Sequence, residues 1–197
     1  MRMVTITYPV YQFAELSTAA KENVRRWYSE TQDPAIFTMQ CNEDLDYLFP
    51  ESNLHVEYSL GYCQGDGLNI YGKLYLDELL ENMKENFTDE EMEYFSWIFD
   101  NFGSSYELPH NGRYCYCICD DHDYMNDFID EMKYSEMEDI RHHTMEKFNK
   151  FAREYMTDLC KRYEQDGYHY FYEFDDSELE EVCDANEWEF TEAGEIA

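Results

Sequence analysis

Basic residues are scarce in this chain of 197 residues, which contains 14 Lys or Arg against 45 Asp or Glu. The formal net charge is therefore −31 at pH 7. Nucleic acids and anionic membrane surfaces repel a protein of this charge, so neither class is expected to bind it. The charge predicts a basic protein as the partner instead.

Long apolar runs are also missing, because charged residues interrupt the hydrophobic stretches every few positions. This pattern predicts no transmembrane helix, and residues 1–10 lack the apolar core and cleavage site of a signal peptide. The seven cysteines are an odd number without the paired spacing of small disulfide-rich domains, which favours reduced thiols. We therefore expect a cytoplasmic protein.

Aromatic residues are abundant, with 3 Trp, 19 Tyr and 13 Phe. Disordered acidic segments are poor in aromatic residues, so this composition predicts a folded chain. Its length suits one compact domain, residues 1–197. The tyrosines exceed what one core of this size needs, and a homodimer through an aromatic face is an additional expectation.

Apolar residues at helical spacing predict several helices. Ser17 is the expected N-cap of a first helix, Pro34 is the first residue of a second, and Thr88 with Glu91 forms a capping box for a third. The helices are predicted over Phe13–Tyr28, Pro34 to just before Pro50, Asp77–Asn86, a segment after Thr88 with its apolar face from Met92 to Phe102, Asp121–Met132, Ser135–Gly167 and Ser177–Asn186. The helix ending at Gly167 has the clearest periodicity.

Alternating apolar residues predict strands between these helices. Residues 54–60 and 68–76 form a hairpin around Gln64–Gly67, and Tyr106–Leu108 reverses into Tyr114–Ile118 as a second hairpin. Further strands are predicted over Met3–Tyr8 and Tyr168–Phe174, and Trp188–Phe190 is predicted to be a last strand or a tail. The predicted fold class is α+β, an antiparallel sheet built from two hairpins and backed by helices.

The acidic residues are concentrated in two segments. Residues 77–140 hold 19 acids and 3 bases, and residues 163–197 hold 13 acids and no base. Between them, residues 141–162 carry 6 bases and 3 acids. Residues 141–162 lie on the long helix that is predicted to end at Gly167. Their basic side chains are expected to neutralise an acidic neighbour, and a basic binding site is the less favoured alternative.

Acids three or four residues apart on a helix have Cβ atoms about 5–6 Å apart, near the spacing of phosphates along a nucleic-acid strand. Three rows fit this spacing: Glu78, Glu81 and Glu85; Asp123, Asp127, Asp130 and Glu131; and Asp176, Glu180 and Asp184. The first row, and the second row together with Asp120 and Asp121, are predicted to bind the partner. Tyr124 and Tyr134 are expected to stack on arginines of a partner. A solvated helix face is the alternative for any single row, whereas three rows together favour mimicry of DNA.

Other patterns indicate no chemistry. Cys115, Cys117, Cys119 and His122 resemble a zinc cluster only loosely, because alternate strand residues lie about 6.6 Å apart, and buried or half-buried thiols are favoured. Gln64–Gly67 lacks the lysine and spacing of a phosphate loop and is predicted to be a turn. We expect no cofactor, no metal and no catalytic residues.

Three short stretches carry a resemblance to a known family. They are Phe13–Ser17 with Arg26–Tyr28, Gly61–Gly67 with its Gln-Gly-Asp-Gly turn, and Asn186–Glu192. This set resembles a family of uncharacterised bacteriophage and mobile-element proteins, from which the chain departs at Cys63, where the family has Ser or Trp-Ser. The resemblance implies a phage protein acting in the bacterial cytoplasm, and the composition resembles that of acidic antirestriction and anti-CRISPR proteins.

The leading hypothesis is an acidic DNA mimic that inhibits a host defence nuclease. Its partner is a Cas9-type CRISPR effector or a restriction enzyme, whose basic DNA channel accepts the carboxylates in place of phosphates. The alternative is a non-enzymatic, antitoxin-like or regulatory protein that binds a small basic protein. A metal-dependent enzyme is a third hypothesis, which predicts stoichiometric zinc or manganese.

Overall fold

The computed structural model describes residues 7–110, 115, 117, 122–126 and 138–197. Over these ranges the fold is α+β, as predicted, with six α-helices and one three-stranded antiparallel sheet. The helices are α1 (Thr18–Thr31), α2 (Pro34–Leu48), α3 (Leu76–Asn82), α4 (Asp89–Phe102), α5 (Glu138–Tyr172) and α6 (Asp176–Ala185). The strands are β1 (Asn53–Ser59), β2 (Gly67–Tyr75) and β3 (Ser105–Leu108). None of these helices combines the length and the apolar character that crossing a bilayer requires.

Three helices begin where the sequence predicts. The Ser17 side chain accepts a hydrogen bond from the backbone N–H of Ala20 at the start of α1. Both hydrogen bonds of the capping box between Thr88 and Glu91 are present at the start of α4. Helix α2 begins at Pro34. The first N–H groups of a helix have no partner inside the helix. Ser17 and Thr88 accept hydrogen bonds from such groups, and Pro34 has no N–H group that would need a partner.

The central strand of the sheet is β2, which pairs with β1 on one side and β3 on the other. Gly72 stands opposite Leu54 in β1 and Leu108 in β3. Its φ angle is +113°, and a Cβ atom at this position would lie 2.3 Å from the carbonyl oxygen of Asn53. Only glycine therefore fits between the two neighbouring strands.

Strands β1 and β2 confirm the first predicted hairpin, but their connection is longer than a tight turn. The register pairs Ser59 with Gly67, so the loop spans residues 60–66. The return strand of the second predicted hairpin, the helix over Asp121–Met132 and the capping box at Ser135 lie wholly or mostly outside the described residues. Most of the predicted strand Met3–Tyr8 does as well.

The long helix α5 extends beyond its predicted end at Gly167. The predicted strand over residues 168–174 is wrong, because α5 continues to Tyr172. Tyr163, Gly167 and Phe171 are all buried and lie four residues apart, so one helical face continues through the glycine. A glycine within a helix costs only about 1 kcal/mol relative to alanine, which burial of this face offsets.

The contacts divide the chain into two compact units. One consists of the segment up to Pro34 together with Gly167–Ala197, and the other is Ala35–Asp166. The core of the first unit contains Phe13, Leu16, Ala20, Val24, Leu179, Cys183 and Phe190. In the second unit, Phe95 of α4 packs on Phe148 of α5, with 5.1 Å between ring centroids. The single domain expected from the sequence stays a prediction.

Candidate protein-binding surface

Helix α4 has one buried face and one exposed face, and its sequence sets both. Phe95 and Ile98 are fully buried, and Phe99 is 8% exposed. Because these residues lie three or four positions apart, they form one apolar stripe that fixes the rotation of α4 about its own axis. The residues on the opposite side of the helix consequently face solvent.

The exposed side of α4 carries carboxylates around a tryptophan. Asp89, Glu90, Glu93, Trp97 and Asp100 are all exposed. Residues three or four apart on a helix are neighbours, so Glu90, Glu93 and Asp100 flank Trp97 along one stripe. These five residues are called the acidic face of α4 below.

The four carboxylates of the acidic face are not neutralised by the protein. Within the part of the chain that the structure describes, none of them forms a side-chain hydrogen bond or an ion pair. Helix α4 itself contains no basic residue. Their negative charge is therefore presented to solvent and to any cation that approaches.

Glu91 is the contrasting acid of α4, because it points toward α5. Its carboxylate accepts hydrogen bonds from the Lys147 ammonium at 2.7 and 2.9 Å and from the Thr88 backbone N–H at 2.8 Å. Burial alone would raise the pKa of Glu91, but these hydrogen bonds and the Lys147 charge outweigh it and lower the pKa. Glu91 therefore stabilises the fold and does not belong to the acidic face.

Trp97 gives the acidic face an aromatic surface. Its side chain is 47% exposed, and its ring meets the ring of Phe102 edge-on with 6.0 Å between centroids. Phe102 is itself 41% exposed. An indole ring beside carboxylates is a suitable contact for an arginine or lysine, since its face attracts cations and the carboxylates bind the same group.

The first predicted acidic row does not lie on one helix. Helix α3 ends at Asn82, and Glu85 falls in a separate 3-10 turn over Lys84–Asn86. The regular spacing of Glu78, Glu81 and Glu85 in the sequence therefore does not become a straight row of carboxylates. The helix predicted over residues 77–86 is corrected accordingly.

Two acids of that row have structural roles. The Glu78 carboxylate accepts hydrogen bonds from the backbone N–H groups of Glu51 and Ser52, at 2.7 and 3.1 Å, and from the Ser52 hydroxyl at 2.5 Å. Glu81 forms an ion pair with Lys84. Glu78 thus holds the turn before β1, whereas Glu81, beside Lys84, and Glu85 are both exposed.

The structure describes only Asp123 and Tyr124 of the second predicted group. Asp123 accepts a hydrogen bond from the side-chain amide of Asn149. Tyr124 is 1% exposed and packs on Tyr106 with 4.9 Å between ring centroids, which corrects the prediction that its ring stacks on a partner's arginine. The remaining members, Asp120, Asp121, Asp127, Asp130, Glu131 and Tyr134, lie outside the described residues.

The third predicted row lies on α6, and the predicted helix is confirmed. Asp176 forms ion pairs with Lys21, at 3.3 Å, and with Arg25, both on α1. Glu180 is half-buried, whereas Asp184 is exposed. Cations of α1 therefore neutralise the first acid of this row, although its side chain is 49% exposed.

The Gln64–Gly67 motif forms a loop organised by one carboxylate. Asp66 accepts hydrogen bonds from the backbone N–H groups of Gly61, at 2.6 Å, and Cys63, at 2.8 Å, and from the Ser59 hydroxyl at 2.8 Å. These bonds, that of the Cys63 N–H above all, lower the pKa of Asp66. The motif is therefore a structural turn, as predicted.

The predicted cysteine group provides no metal site in the described residues, where no three His, Cys, Asp or Glu side chains converge on one point. Cys115 and Cys117 are half-buried, and burial raises the pKa of the Cys115 thiol. His122 Nδ1 lies 3.1 Å from the Tyr106 hydroxyl. Cys119 lies outside the described residues.

The acidic face of α4 is the surface that the sequence analysis missed. The apolar face of α4 was recognisable from its spacing, with Phe95, Ile98 and Phe99 at its centre. Residues half a helical turn away from that stripe include Glu90 and Glu93. Examining the side opposite the apolar stripe would have found them, whereas searching for evenly spaced acids did not.

Comparison of the chain with protein-family models finds no match. Curated proteins and solved structures give no match either. The chemistry of the surface is therefore the basis for inferring a function, and the likeness to bacteriophage proteins enters as a proposal.

Proposed function

We propose that this protein is a non-enzymatic, bacteriophage-encoded inhibitor of a host defence nuclease, with a Cas9-type CRISPR effector as the first candidate. It acts as an acidic mimic of DNA. Its carboxylates occupy the basic channel that DNA must enter, and bound protein and bound DNA exclude each other.

The acidic face of α4 is the observation that carries this proposal. Its carboxylates are exposed and have no partner within the described residues, and Glu90 and Glu93 lie three residues apart, near the spacing of phosphates along one strand. A packed helix holds them in place, so little conformational freedom is lost when a partner binds. A cleft lined by Arg and Lys attracts such a row for the same electrostatic reason that it attracts DNA.

The overall charge distribution supports the same proposal. Residues 35–166 contain 30 acids against 10 bases. Bases in this unit that pair with acids include Lys147, bound to Glu91, and Arg162, bound to Asp44 at 2.6 Å. Because each base can neutralise one acid, most of the carboxylates remain charged and uncompensated, which favours fast association with a cationic partner.

Competition with DNA tests the proposal directly. A purified Cas9-type effector loaded with guide RNA is mixed with the protein before or after labelled target duplex. We expect the protein added first to prevent DNA binding, and the concentration required to rise steeply between about 50 and 300 mM NaCl. Inhibition that is independent of salt, or binding that leaves DNA bound, would contradict it. Specific binding to a small basic protein but not to the effector would support the antitoxin-like alternative.

A further inference from the structure

Helix α2 exposes large apolar side chains on the face directed away from the core. Its inner residues Phe37, Cys41 and Leu45 are all at most 4% exposed. On the opposite side, Ile36 is 44% exposed, Met39 is 52% exposed, and Tyr47 is 83% exposed. Tyr47 is the most exposed large apolar residue in the described part of the chain.

These side chains form one stripe. Ile36 and Tyr47 are eleven positions apart, almost a whole number of helical turns, and Met39 lies three residues after Ile36. Glu43 lies four residues from both Met39 and Tyr47, in the middle of the stripe. Within the described residues, Ile36, Met39 and Tyr47 make no hydrogen bond or ring contact. Each of the three side chains is at least 44% exposed, so the core does not require apolar residues at these positions.

We propose that the outer face of α2, formed by Ile36, Met39, Glu43 and Tyr47, docks on an apolar patch of a partner protein that is bordered by lysines and arginines. The sign of the partner's charge rests on the proposed function. Protein interfaces combine an apolar centre with a polar rim, and tyrosine and methionine are enriched at such centres. Met39 and Tyr47 supply the centre here, and Glu43 supplies a rim carboxylate.

Charge decides between a basic partner and a second copy of this chain. Helix α2 contains Glu43, Asp44 and Asp46 and no basic residue. Asp44 is engaged by Arg162 and by the Tyr163 hydroxyl, each at 2.6 Å, so Glu43 and Asp46 are the exposed charges beside the stripe. Two copies meeting through this face would bring like charges together, whereas lysines and arginines around an apolar patch complement them.

Two synthetic helical peptides separate apolar docking from charge attraction. Both have the same length and the same number of lysines, but one has leucines along one face and the other has serines there. Binding of each labelled peptide to the full chain is measured by fluorescence anisotropy. We expect the leucine peptide to bind about tenfold more tightly, a difference of about 1.4 kcal/mol, because the apolar centre of an interface carries much of its binding energy.

The variant Ile36→Ser/Met39→Ser/Tyr47→Ser should remove this preference and leave binding of the serine peptide unchanged. Tyr47→Ser alone should reduce the preference for the leucine peptide. Because Tyr47 contributes nothing to the core, this variant should keep the fold and provides the test if the triple variant does not fold. A preference that survives in both variants, or that is missing in the unmodified chain, overturns the inference.

The two peptides also distinguish failure of this inference from failure of the proposed function. Equal binding of both peptides contradicts docking through α2 and leaves the electrostatic proposal intact. No binding of either peptide at low salt contradicts the proposed function. Sedimentation analysis tests self-association, and a dimer of the unmodified chain that Tyr47→Ser abolishes would assign the face to a second copy instead.

Discussion

Helices α4 and α6 each contain five acidic residues, but the structure gives these acids different surroundings. On α6, Asp176 is paired with cations of α1, and Glu178 binds the backbone N–H of Asp175 and lies 3.2 Å from His169. On α4, Glu91 binds Lys147 and the Thr88 backbone, whereas the other four acids have no side-chain partner within the described residues. The comparison teaches that the density of acids does not identify a binding surface, because the cations that folding brings nearby decide which acids remain available.

The largest expected effect separates the two helices by function. Replacing Glu90, Glu93 and Asp100 by their amides removes three exposed charges of the acidic face while preserving side-chain shape. Each exposed charge pair contributes up to about 1 kcal/mol, so affinity for the guide-loaded effector should fall on the order of a hundredfold at low salt. A DNA competition titration measures this loss.

The matched control changes α6 by the same total charge. The variant Glu180→Gln/Glu181→Gln/Asp184→Asn should alter the affinity by less than about threefold, because overall charge contributes to approach more than to the contact itself. Equal losses in the two variants would show that net charge, rather than the acidic face of α4, is recognised.

A second prediction compares the two sides of α4. Glu91→Gln should lower the free energy of unfolding by about 2 kcal/mol at pH 7, since Lys147 loses a charged partner in a partly buried site. The pKa of Glu91 is lowered by folding, so its contribution is complete above its ordinary value of 4.5 and is lost as the pH falls below it. Urea unfolding at pH 7 and pH 3 measures this, and the variant and the unmodified chain should differ less at pH 3.

Glu93→Gln, on the exposed side, should leave stability unchanged within about 0.5 kcal/mol.

Trp97 provides a third, smaller test of the acidic face. Trp97→Ala should weaken binding to the effector about tenfold, because the ring is the aromatic anchor among the carboxylates. Trp97→Phe should recover part of the loss, since it restores an aromatic face. An unchanged affinity for Trp97→Ala would restrict recognition to the carboxylates.

The smallest effect is expected on α6. Asp176→Asn removes its ion pairs with Lys21 and Arg25 and should lower the unfolding free energy by about 0.5 kcal/mol, because these pairs are exposed and screened by solvent. Thermal unfolding at low and high salt measures it, and the difference from the unmodified chain should shrink at high salt. Asp184→Asn, which is exposed on the same helix, serves as the control and should show no such difference.

Local signals in the sequence predicted much of the fold. Ser17, Pro34 and the Thr88–Glu91 box marked helix starts because capping depends on a few adjacent residues. Gly167 misled the prediction, since whether a glycine ends a helix depends on the burial that surrounds it. The end of α3 at Asn82 was missed as well.

The candidate site was harder to predict than the fold. Spacing alone shows which acids share a helix face, but it does not show which of them meet a cation or a backbone N–H from elsewhere in the chain. Such a partner binds the carboxylates of Glu78, Asp123 and Asp176. Within the described residues, no such partner binds Glu90 or Glu93. That distinction depends on tertiary contacts, and the sequence pattern contains no trace of it.

The close approach of two strands at Gly72 has a consequence for how this protein changes over generations. A side chain there would clash with the Asn53 carbonyl, so substitution of this glycine should destabilise the sheet. Surface acids can be exchanged one at a time with little penalty. Distant descendants should therefore keep a glycine at position 72 while their charged surfaces diverge. That glycine is then a better marker of common ancestry than the acidity of the chain.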